Sequence, residues 1–266
     1  MELKGKTAFV TGGGSGIGAG MTEAFAEQDM KVIVADIDLA SAQEQAAKLD
    51  CEALALEIDV VSLDSWAQAK NAACERFGQV DVLCNNAGIS VPWRPLVDIA
   101  PEEFDRAMQI NVYGVYNGVK SFGPDMIARG YGHICNTSSL NGLISMGAMA
   151  TYSGSKFAVT AITDALRDEM APHGVGVSAL YPGLTRSKMS MAARPGGDLN
   201  KNSANAQAMK SMVMMEPIWL GRAVVKAIGD GTQHIISHPG SKPIVEAWFN
   251  ELLASFREPA EPGYQG

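Results

Sequence analysis

The chain has 266 residues, 47% of them hydrophobic, which is enough to bury the core of a single α/β domain spanning residues 1–266. Its formal net charge is −8 and its lysines and arginines form no cluster, so nucleic acid is not an expected partner. No apolar run approaches the roughly 18 residues that a membrane-spanning helix needs, and the sequence therefore predicts a cytoplasmic protein outside the membrane.

Short β-rich segments alternate with longer amphipathic segments along the chain. The predicted strands are KTAFVTG, KVIVADI, EALALEIDV, VDVLCNNAG, HICNTSS, VGVSALYPG and QHIIS. The predicted helices lie near residues 17–28, 39–49, 62–77, 101–129, 152–171, 217–229 and 241–256. This alternation, with few charges in the strands, predicts an α/β fold with a doubly wound parallel sheet of about seven strands and helices on both faces.

A glycine-rich turn, TGGGSGIG, joins the first predicted strand to the first helix. Gly12, Gly16 and Gly18 lie where free backbone N–H groups and the helix dipole attract an anion such as a pyrophosphate. Glycines also let the phosphate approach the backbone closely. A tight connection that binds no ligand is the alternative interpretation of such a turn.

Asp36 ends the second predicted strand, and its position favours one dinucleotide over the other. A carboxylate there accepts hydrogen bonds from both ribose hydroxyls of an adenosine and repels a 2′-phosphate. Ser15 and Ile37 flank the same pocket and supply no cation that could pair with a phosphate. We therefore expect NAD as the cofactor.

Tyr152 and Lys156 lie four residues apart in a predicted helix, so the phenol and the ammonium share one face. A neighbouring cation is expected to lower the pKa of the phenol and to make it useful for proton transfer. A surface lysine beside a tyrosine is the alternative for the pair alone. A further polar segment, HICNTSSLNG, places Ser138 and Ser139 upstream, at the end of another predicted strand.

The motifs TGGGSGIG, NNAG and YSGSK, with Asn111 and Ser139 between them, resemble those of the short-chain dehydrogenase/reductase family over about residues 5–185. The resemblance implies a Rossmann fold and tyrosine acid/base catalysis. Tyr152 would exchange a proton with the substrate, Ser139 would hold the substrate oxygen, and Lys156 would bind the nicotinamide ribose. Asn111 would support a water relay from Lys156, or would only bridge backbone groups.

The same resemblance implies the cofactor contacts. These residues are Gly12, Ser15, Gly16, Ile17, Gly18, Asp36, Ile37, Asp59, Val60, Asn86, Ala87, Gly88, Tyr152, Lys156, Pro182, Gly183, Thr185 and Ser187. Asp59 and Val60 would contact adenine, and Ser187 would anchor the carboxamide where many relatives carry threonine. Asn85 would border the adenosine ribose, or would only tie the fourth strand to its neighbours.

Residues 185–216 are predicted to form a substrate lid. Methionines and one tryptophan fall in segments expected to surround the nicotinamide: Met146, Met149, Met189, Met191, Met212, Met215 and Trp93. Flexible thioethers suit a fairly apolar alcohol or ketone, aromatic or alicyclic in shape. Methionines at helical spacing, such as those at 209, 212 and 215, fit ordinary packing equally well.

Two alternatives stand beside a NAD-dependent secondary-alcohol dehydrogenase. A 3-oxoacyl-[acyl-carrier-protein] reductase would need cations for the phosphopantetheine arm, for which Arg94, Arg186 and Lys188 are the candidates. A non-catalytic NAD sensor would keep the glycine loop without needing the catalytic side chains. The family resemblance also implies a homotetramer or a homodimer.

Several remaining polar residues are assigned structural roles. Ser138 is expected to be structural, and His234 and His238 to be loop or strand-end residues. The four cysteines lie at positions 51, 74, 84 and 135 without CxxC spacing. They predict buried thiols, with no metal site and no disulfide.

Overall fold

The computed structural model of the chain describes residues 1–187, 190 and 214–256. Its centre is a seven-stranded sheet in which every pair of neighbours is parallel, in the order β3-β2-β1-β4-β5-β6-β7. The strands are β1 (Thr7–Thr11), β2 (Lys31–Asp36), β3 (Ala53–Glu57), β4 (Val82–Asn85), β5 (Gly132–Thr137), β6 (Val175–Tyr181) and β7 (His234–Ile236). The predicted Rossmann-type sheet of seven strands is confirmed.

Helices cover both faces of this sheet. They are α1 (Gly16–Ala26), α2 (Leu39–Ala46), α3 (Leu63–Phe77), α4 (Pro101–Met108), α5 (Gly114–Arg129), α6 (Ala150–Met170), α7 (Pro217–Asp230) and α8 (Lys242–Leu253). The helix predicted over residues 101–129 is divided, because a π-helical turn, Gln109–Tyr113, separates α4 from α5. Such turns are frequent at functional sites, and this one carries the fully buried Asn111.

Two apolar layers hold the helices to the sheet, one on each face. Successive residues of β1 point to opposite faces, so Val10 packs in the layer with Met21 of α1 while Phe9 packs in the other. There the Phe9 ring lies 5.9 Å from Trp66 of α3 and 5.2 Å from Phe122 of α5, measured between ring centroids. Full burial of each such side chain contributes about 1.5–3 kcal/mol, so these layers anchor the central strands firmly.

Helix α1 is held against α7 at backbone distance. A Cβ placed on Gly221 would lie 2.0 Å from the carbonyl oxygen of Gly20, and one on Gly20 would lie 2.3 Å from Pro217. Because no side chain fits between the two helices, their axes stay close and the N-terminal end of α1 has a fixed position. That end carries the glycine loop.

The strand order reverses at β1. The chain proceeds outward from β1 through β2 to β3, and then returns to the other side of β1 to form β4. Parallel sheets of this kind have a crevice at the carboxyl ends of the strands on either side of the reversal, and dinucleotides bind there. Thr11, Asp36, Asn85 and Thr137 all end strands at this edge. Among the described residues, no helix is both long enough and apolar enough to cross a membrane.

Candidate active site

The glycine loop between β1 and α1 has the backbone geometry that a close-approaching phosphate requires. Gly12 and Gly16 have φ of +62° and +53°, a region that favours glycine. A Cβ on Gly12 would lie 3.0 Å from the Cα of Ala87, and one on Gly18 would lie 2.0 Å from the Gly12 carbonyl oxygen. Ser15 is the N-cap residue of α1, and its side chain makes no capping hydrogen bond. The backbone N–H groups in the first turn of α1 are therefore not occupied by this side chain and can bind an anion.

Thr11 joins the glycine loop to the NNAG segment after β4. Its hydroxyl oxygen accepts hydrogen bonds from the backbone N–H groups of Asn86 and Ala87, at 2.9 and 3.0 Å. The Asn86 amide donates to the Thr11 carbonyl at 3.0 Å, and its oxygen accepts from the Thr137 hydroxyl at 3.3 Å. The loops after β1, β4 and β5 are therefore one hydrogen-bonded unit. The sequence places Thr11 at the start of the glycine loop, but the spacing of the two motifs does not predict that its hydroxyl joins them.

Asp36 lies beside the glycine loop at the end of β2. One carboxylate oxygen accepts from the Gly14 N–H at 3.0 Å and the other from the Asp38 N–H at 3.1 Å. Each oxygen keeps a second lone pair for a ligand hydroxyl. Asp36 takes part in no ion pair among the described residues, and the side chain of Ile37 is 65% exposed beside it. The carboxylate therefore faces the crevice as an uncompensated negative charge.

Asp59 and Val60 follow β3 and are held by neighbouring helices. The Asp59 carboxylate accepts from the Val61 N–H at 3.0 Å. The Val60 carbonyl accepts from the indole of Trp66 and from the amide of Asn117, both at 3.0 Å. This geometry fixes the wall of the crevice where the sequence predicts the adenine contacts.

Asn85 has the structural role that the sequence analysis left open. Its amide nitrogen donates to the side-chain oxygen of Asn136 at 2.9 Å, which ties β4 to β5 beneath the site. Its own side-chain oxygen is buried without a partner, and a Cβ on Gly118 would lie only 2.0 Å from it. Asn85 therefore packs against α5 and does not face the crevice.

Lys156 is almost completely buried, 4% exposed, and its ammonium is held at one place. It donates to the Thr137 carbonyl at 2.9 Å and lies 5.8 Å from the centroid of the Tyr152 ring. Burial lowers the pKa of Lys156 from its ordinary value to about 8. A buried cation bound to a strand-end carbonyl excludes the alternative of a surface lysine beside a tyrosine.

The pKa of Tyr152 differs from the sequence-based expectation. Burial raises the pKa of this phenol above its ordinary value, and hydrogen bonding to the Ser139 hydroxyl partly offsets the rise. The net shift is opposite to the lowering expected from Lys156, because the loss of hydration outweighs the hydrogen bond with Ser139. The phenol is therefore protonated at neutral pH.

Ser139 and Ser138, adjacent at the end of β5, have different environments. The Ser139 hydroxyl lies beside the Tyr152 phenol and accepts from the Asn141 N–H at 3.1 Å. The Ser138 hydroxyl donates to the Lys156 carbonyl at 2.9 Å and contacts the Thr160 hydroxyl at the same distance. Ser139 thus faces the reacting groups, whereas Ser138 fixes β5 to α6, as the sequence analysis predicted for a structural serine.

The segment after β6 brings four predicted cofactor residues to the same crevice. The Pro182 carbonyl accepts from the Leu140 N–H at 3.0 Å, and the Thr185 hydroxyl donates to the Gly183 carbonyl at 3.2 Å. A Cβ on Gly16 would lie 2.9 Å from the Cβ of Ser187. Ser187 is therefore next to the phosphate-binding loop.

The two C-terminal histidines support this edge of the sheet. His238 accepts from the Gly183 N–H at 3.0 Å, and the His234 ring contacts the Tyr181 hydroxyl at 3.3 Å. Both therefore pair with groups of the β6 segment. The sequence analysis placed them in loops or at strand ends, and His234 does begin β7.

The predicted substrate side is only partly described. Met146 is 41% exposed, whereas Met149 is buried and its sulfur accepts from the Asn141 amide at 3.6 Å. Met215 packs against the apolar layer of α1 and α7, which agrees with ordinary packing. The Trp93 indole N–H is buried and has no hydrogen-bond partner in the part of the chain that the structure describes. Most of the predicted lid, with the methionines at 189, 191, 209 and 212, lies outside the described residues.

Comparison with known proteins agrees with this geometry. The short chain dehydrogenase family model matches residues 6–197. A 3-alpha-(or 20-beta)-hydroxysteroid dehydrogenase of Mycobacterium tuberculosis is 35% identical over 71% of this chain and 72% of its own length. The galactitol 2-dehydrogenase of Agrobacterium fabrum is 36% identical over 69% and 72%.

A solved structure has the same fold over its whole length. It is a short chain dehydrogenase/reductase from Burkholderia phymatum in complex with NAD, with 28% identity, a TM-score of 0.87 and 100% of both chains covered. The matched family segment includes the glycine loop, the tyrosine and the lysine described above. The chain therefore belongs to the short-chain dehydrogenase/reductase family, and it is an oxidoreductase that acts on alcohols or ketones.

Proposed function

We propose that this protein is a NAD-dependent dehydrogenase that interconverts a secondary alcohol and a ketone. The observation that carries the proposal is the position of the buried Lys156 ammonium, between Tyr152 and the Gly88 backbone at the centre of the crevice. A Cβ on Gly88 would lie 3.5 Å from this ammonium, so the loop backbone passes close to it. A proton donor and a cation at a dinucleotide crevice suit hydride-transfer chemistry.

The crevice fits a nicotinamide dinucleotide. The glycine loop and the free N-terminus of α1 would hold the pyrophosphate, and Asp36 would hold the adenosine ribose. Lys156 would contact the nicotinamide ribose, and Ser187, which lies beside Gly16, would contact the carboxamide together with Thr185. When bound, NAD supplies a hydride acceptor at C4 of its nicotinamide ring.

The protein's own groups supply the proton transfer. In oxidation, the Tyr152 oxygen takes the alcohol proton, and in reduction the phenol returns one to the ketone oxygen. Ser139 donates a hydrogen bond to the same substrate oxygen and so fixes the reacting carbon beside the cofactor. The ammonium of Lys156 favours the phenolate form, and a bound oxidised nicotinamide adds a second positive charge to the site. The raised pKa of the Tyr152 phenol is thus expected to fall only when the cofactor is present.

NAD is favoured over NADP by the uncompensated charge of Asp36. A 2′-phosphate would meet this carboxylate and the exposed side chain of Ile37, and neither residue supplies a cation to pair with it. The complex of the Burkholderia phymatum protein with NAD supports the same choice by similarity. We extend the proposal to a fairly apolar substrate, because Met146, Met149 and Trp93 flank the loop that follows Ser139.

The alternative of an acyl-carrier-protein reductase is weakened by the state of its candidate cations. Arg94 donates to Glu103 at 2.6 Å, and Arg186 pairs with Glu216 at 2.8 Å. A guanidinium that is already paired with a carboxylate is a poor binding site for the phosphate of a phosphopantetheine arm. Lys188 lies outside the described residues.

The test is a panel of aromatic, alicyclic and short polar secondary alcohols, followed at the absorbance of NADH. Turnover that depends on NAD and disappears in Tyr152→Phe supports the proposal. If the protein binds NADH but neither oxidises any of the alcohols with NAD nor reduces the matching ketones with NADH, the result supports the non-catalytic NAD sensor instead. Cytoplasmic location and assembly as a homotetramer or homodimer stay predictions. Light scattering can test the oligomeric state, because it measures the molar mass of the assembly in solution.

A further inference from the structure

Ser155 lies in the first turns of α6, between the two catalytic side chains Tyr152 and Lys156, and is fully buried. Its hydroxyl donates to the Tyr152 carbonyl at 2.7 Å. The same oxygen accepts a hydrogen bond from the side-chain amide of Asn111 at 3.0 Å. Ser155 therefore joins the catalytic turn of α6 to the π-helical turn, 44 residues earlier in the chain.

Asn111 uses its whole side chain in these contacts. Its amide oxygen accepts from the Ile89 N–H at 2.8 Å, and its amide nitrogen donates to the Ile89 carbonyl at 3.0 Å and to Ser155. Both N–H groups of the amide and one lone pair of its oxygen are used in these contacts, and Asn111 is fully buried. Asn111 thus acts as a clamp on the segment after β4. The orientation of its amide group depends on an acceptor for each of its two N–H groups, the Ile89 carbonyl and the Ser155 hydroxyl.

The clamp is adjacent to the reacting groups. A Cβ on Gly88 would lie 3.1 Å from the Asn111 amide oxygen and 3.5 Å from the Lys156 ammonium nitrogen. Gly88 therefore lies beside both Asn111 and Lys156, and the next residue, Ile89, is hydrogen-bonded to Asn111. A shift of the Asn111 amide moves this segment relative to Lys156, and a displacement of about 1 Å in a catalytic geometry is enough to lower a rate strongly.

We propose that Ser155 is a positioning residue for the reaction, and that it acts through Asn111. Its hydroxyl sets the orientation of the Asn111 amide, which in turn fixes the Gly88–Ile89 segment against the turn that carries Tyr152 and Lys156. A serine that only back-bonds to its own helix would need the Tyr152 carbonyl alone. The contact with Asn111 is what distinguishes the positioning role from that local one.

The inference rests on the proposed function, and a double-mutant cycle tests it. Ser155→Ala is expected to lower kcat about tenfold, while the dissociation constant for NADH changes less than about threefold, since the groups that bind the adenosine half are untouched. Asn111→Ala is expected to lower kcat by at least as much. The double variant should then resemble Asn111→Ala within about threefold, because the serine no longer has a partner through which to act.

Ser178→Ala is the matched control. Ser178 is also fully buried, and its hydroxyl contacts the His133 ring at 2.9 Å on β6, away from the crevice. This variant should lower the melting temperature and leave kcat unchanged. If Ser155→Ala also leaves kcat unchanged, or if its effect multiplies fully with that of Asn111→Ala, the positioning role is wrong.

Two further measurements keep the result decisive. Should Ser155→Ala fail to fold, Ser155→Cys fills the site with a slightly larger side chain that makes a weaker hydrogen bond, and it must then give a partial loss of kcat. Should the unmodified protein turn over no alcohol or ketone, the proposed function fails separately. In that case the pKa of Tyr152 is the quantity to measure, from the ultraviolet absorbance of tyrosinate with Tyr152→Phe as the blank. Ser155→Ala and Asn111→Ala should each shift this pKa, and their shifts should not add in the double variant. If neither variant shifts it, the inference is wrong.

Discussion

Replacement of Asp36 isolates the contact that separates the two nicotinamide dinucleotides. Asp36→Ala removes the acceptor proposed for both ribose hydroxyls and also the acceptors for the Gly14 and Asp38 N–H groups. A hydrogen bond to a charged group contributes about 1.5–3 kcal/mol, so the affinity for NADH should fall by at least about tenfold. The affinity for NADPH should hold or rise, because the repulsion of its 2′-phosphate disappears.

The ratio of the two affinities is the quantity to compare. Loss of the Gly14 contact loosens the glycine loop and weakens both dinucleotides alike, so this effect cancels in the ratio. Adding Ile37→Arg supplies a guanidinium for the phosphate from a side chain that is 65% exposed, so the change costs no core packing. The double variant should move the ratio towards NADPH by more than about tenfold, which corresponds to about 1.4 kcal/mol.

Titrations followed by the fluorescence of NADH and NADPH measure the ratio directly. Asp38→Asn is the matched control, because it removes a neighbouring charge at the start of α2 whose carboxylate bonds Ser41 instead of facing the glycine loop. Its ratio should stay within about threefold of that of the unmodified protein. Equal binding of NADH and NADPH by the unmodified protein would refute the reasoning and strengthen the reductase alternative.

Four other outcomes follow from the site and its support. Tyr152→Phe should retain NADH binding while kcat falls about 100-fold or more, measured on the best alcohol of the panel. Ser139→Ala should lower kcat about tenfold or more, whereas Ser138→Ala should mainly lower the melting temperature; the reverse pattern would exchange the two assignments. Bulky apolar alcohols should exceed small charged hydroxy acids in kcat/KM, and the opposite preference would remove the apolar-substrate proposal. Burial lowers the pKa of His133 to about 4 from 6.5, so the unfolded chain binds more protons between these pH values. The contribution of His133 to the free energy of unfolding is therefore fully present above about pH 6.5 and falls by about 3 kcal/mol towards pH 4. Urea unfolding at a series of pH values should show that the free energy of unfolding of His133→Gln depends less steeply on pH.

The fold could be predicted because its determinants are local. Alternating strand and helix segments with uncharged strands allow few architectures other than a parallel sheet covered on both sides. The division of the helix near residue 109 could not be predicted in this way. The π-helical turn is stabilised by the contacts of Asn111 with Ile89 and Ser155, which come from distant parts of the chain.

The site shows the same limit at the level of single side chains. The spacing of Tyr152 and Lys156 and the serine before them predicted which side chains come together, because helix geometry fixes which side chains share a face; their part in the reaction stays a prediction. The choice between the two readings of Asn85 needed the register of β4 against β5, which places it opposite Asn136. Spacing along one chain does not contain that register.

The pKa of Tyr152 illustrates why a charge pair in a sequence does not determine an ionisation state. Lys156 brings a positive charge close to the phenol, but both groups are enclosed, and burial opposes the charged form of each. Burial therefore raises the pKa of the tyrosine and lowers that of the lysine, so each moves towards its neutral form. We expect a further positive charge in the crevice to favour the phenolate. An oxidised nicotinamide bound as proposed would bring such a charge, so cofactor binding is expected to oppose the effect of burial and to lower the pKa of Tyr152.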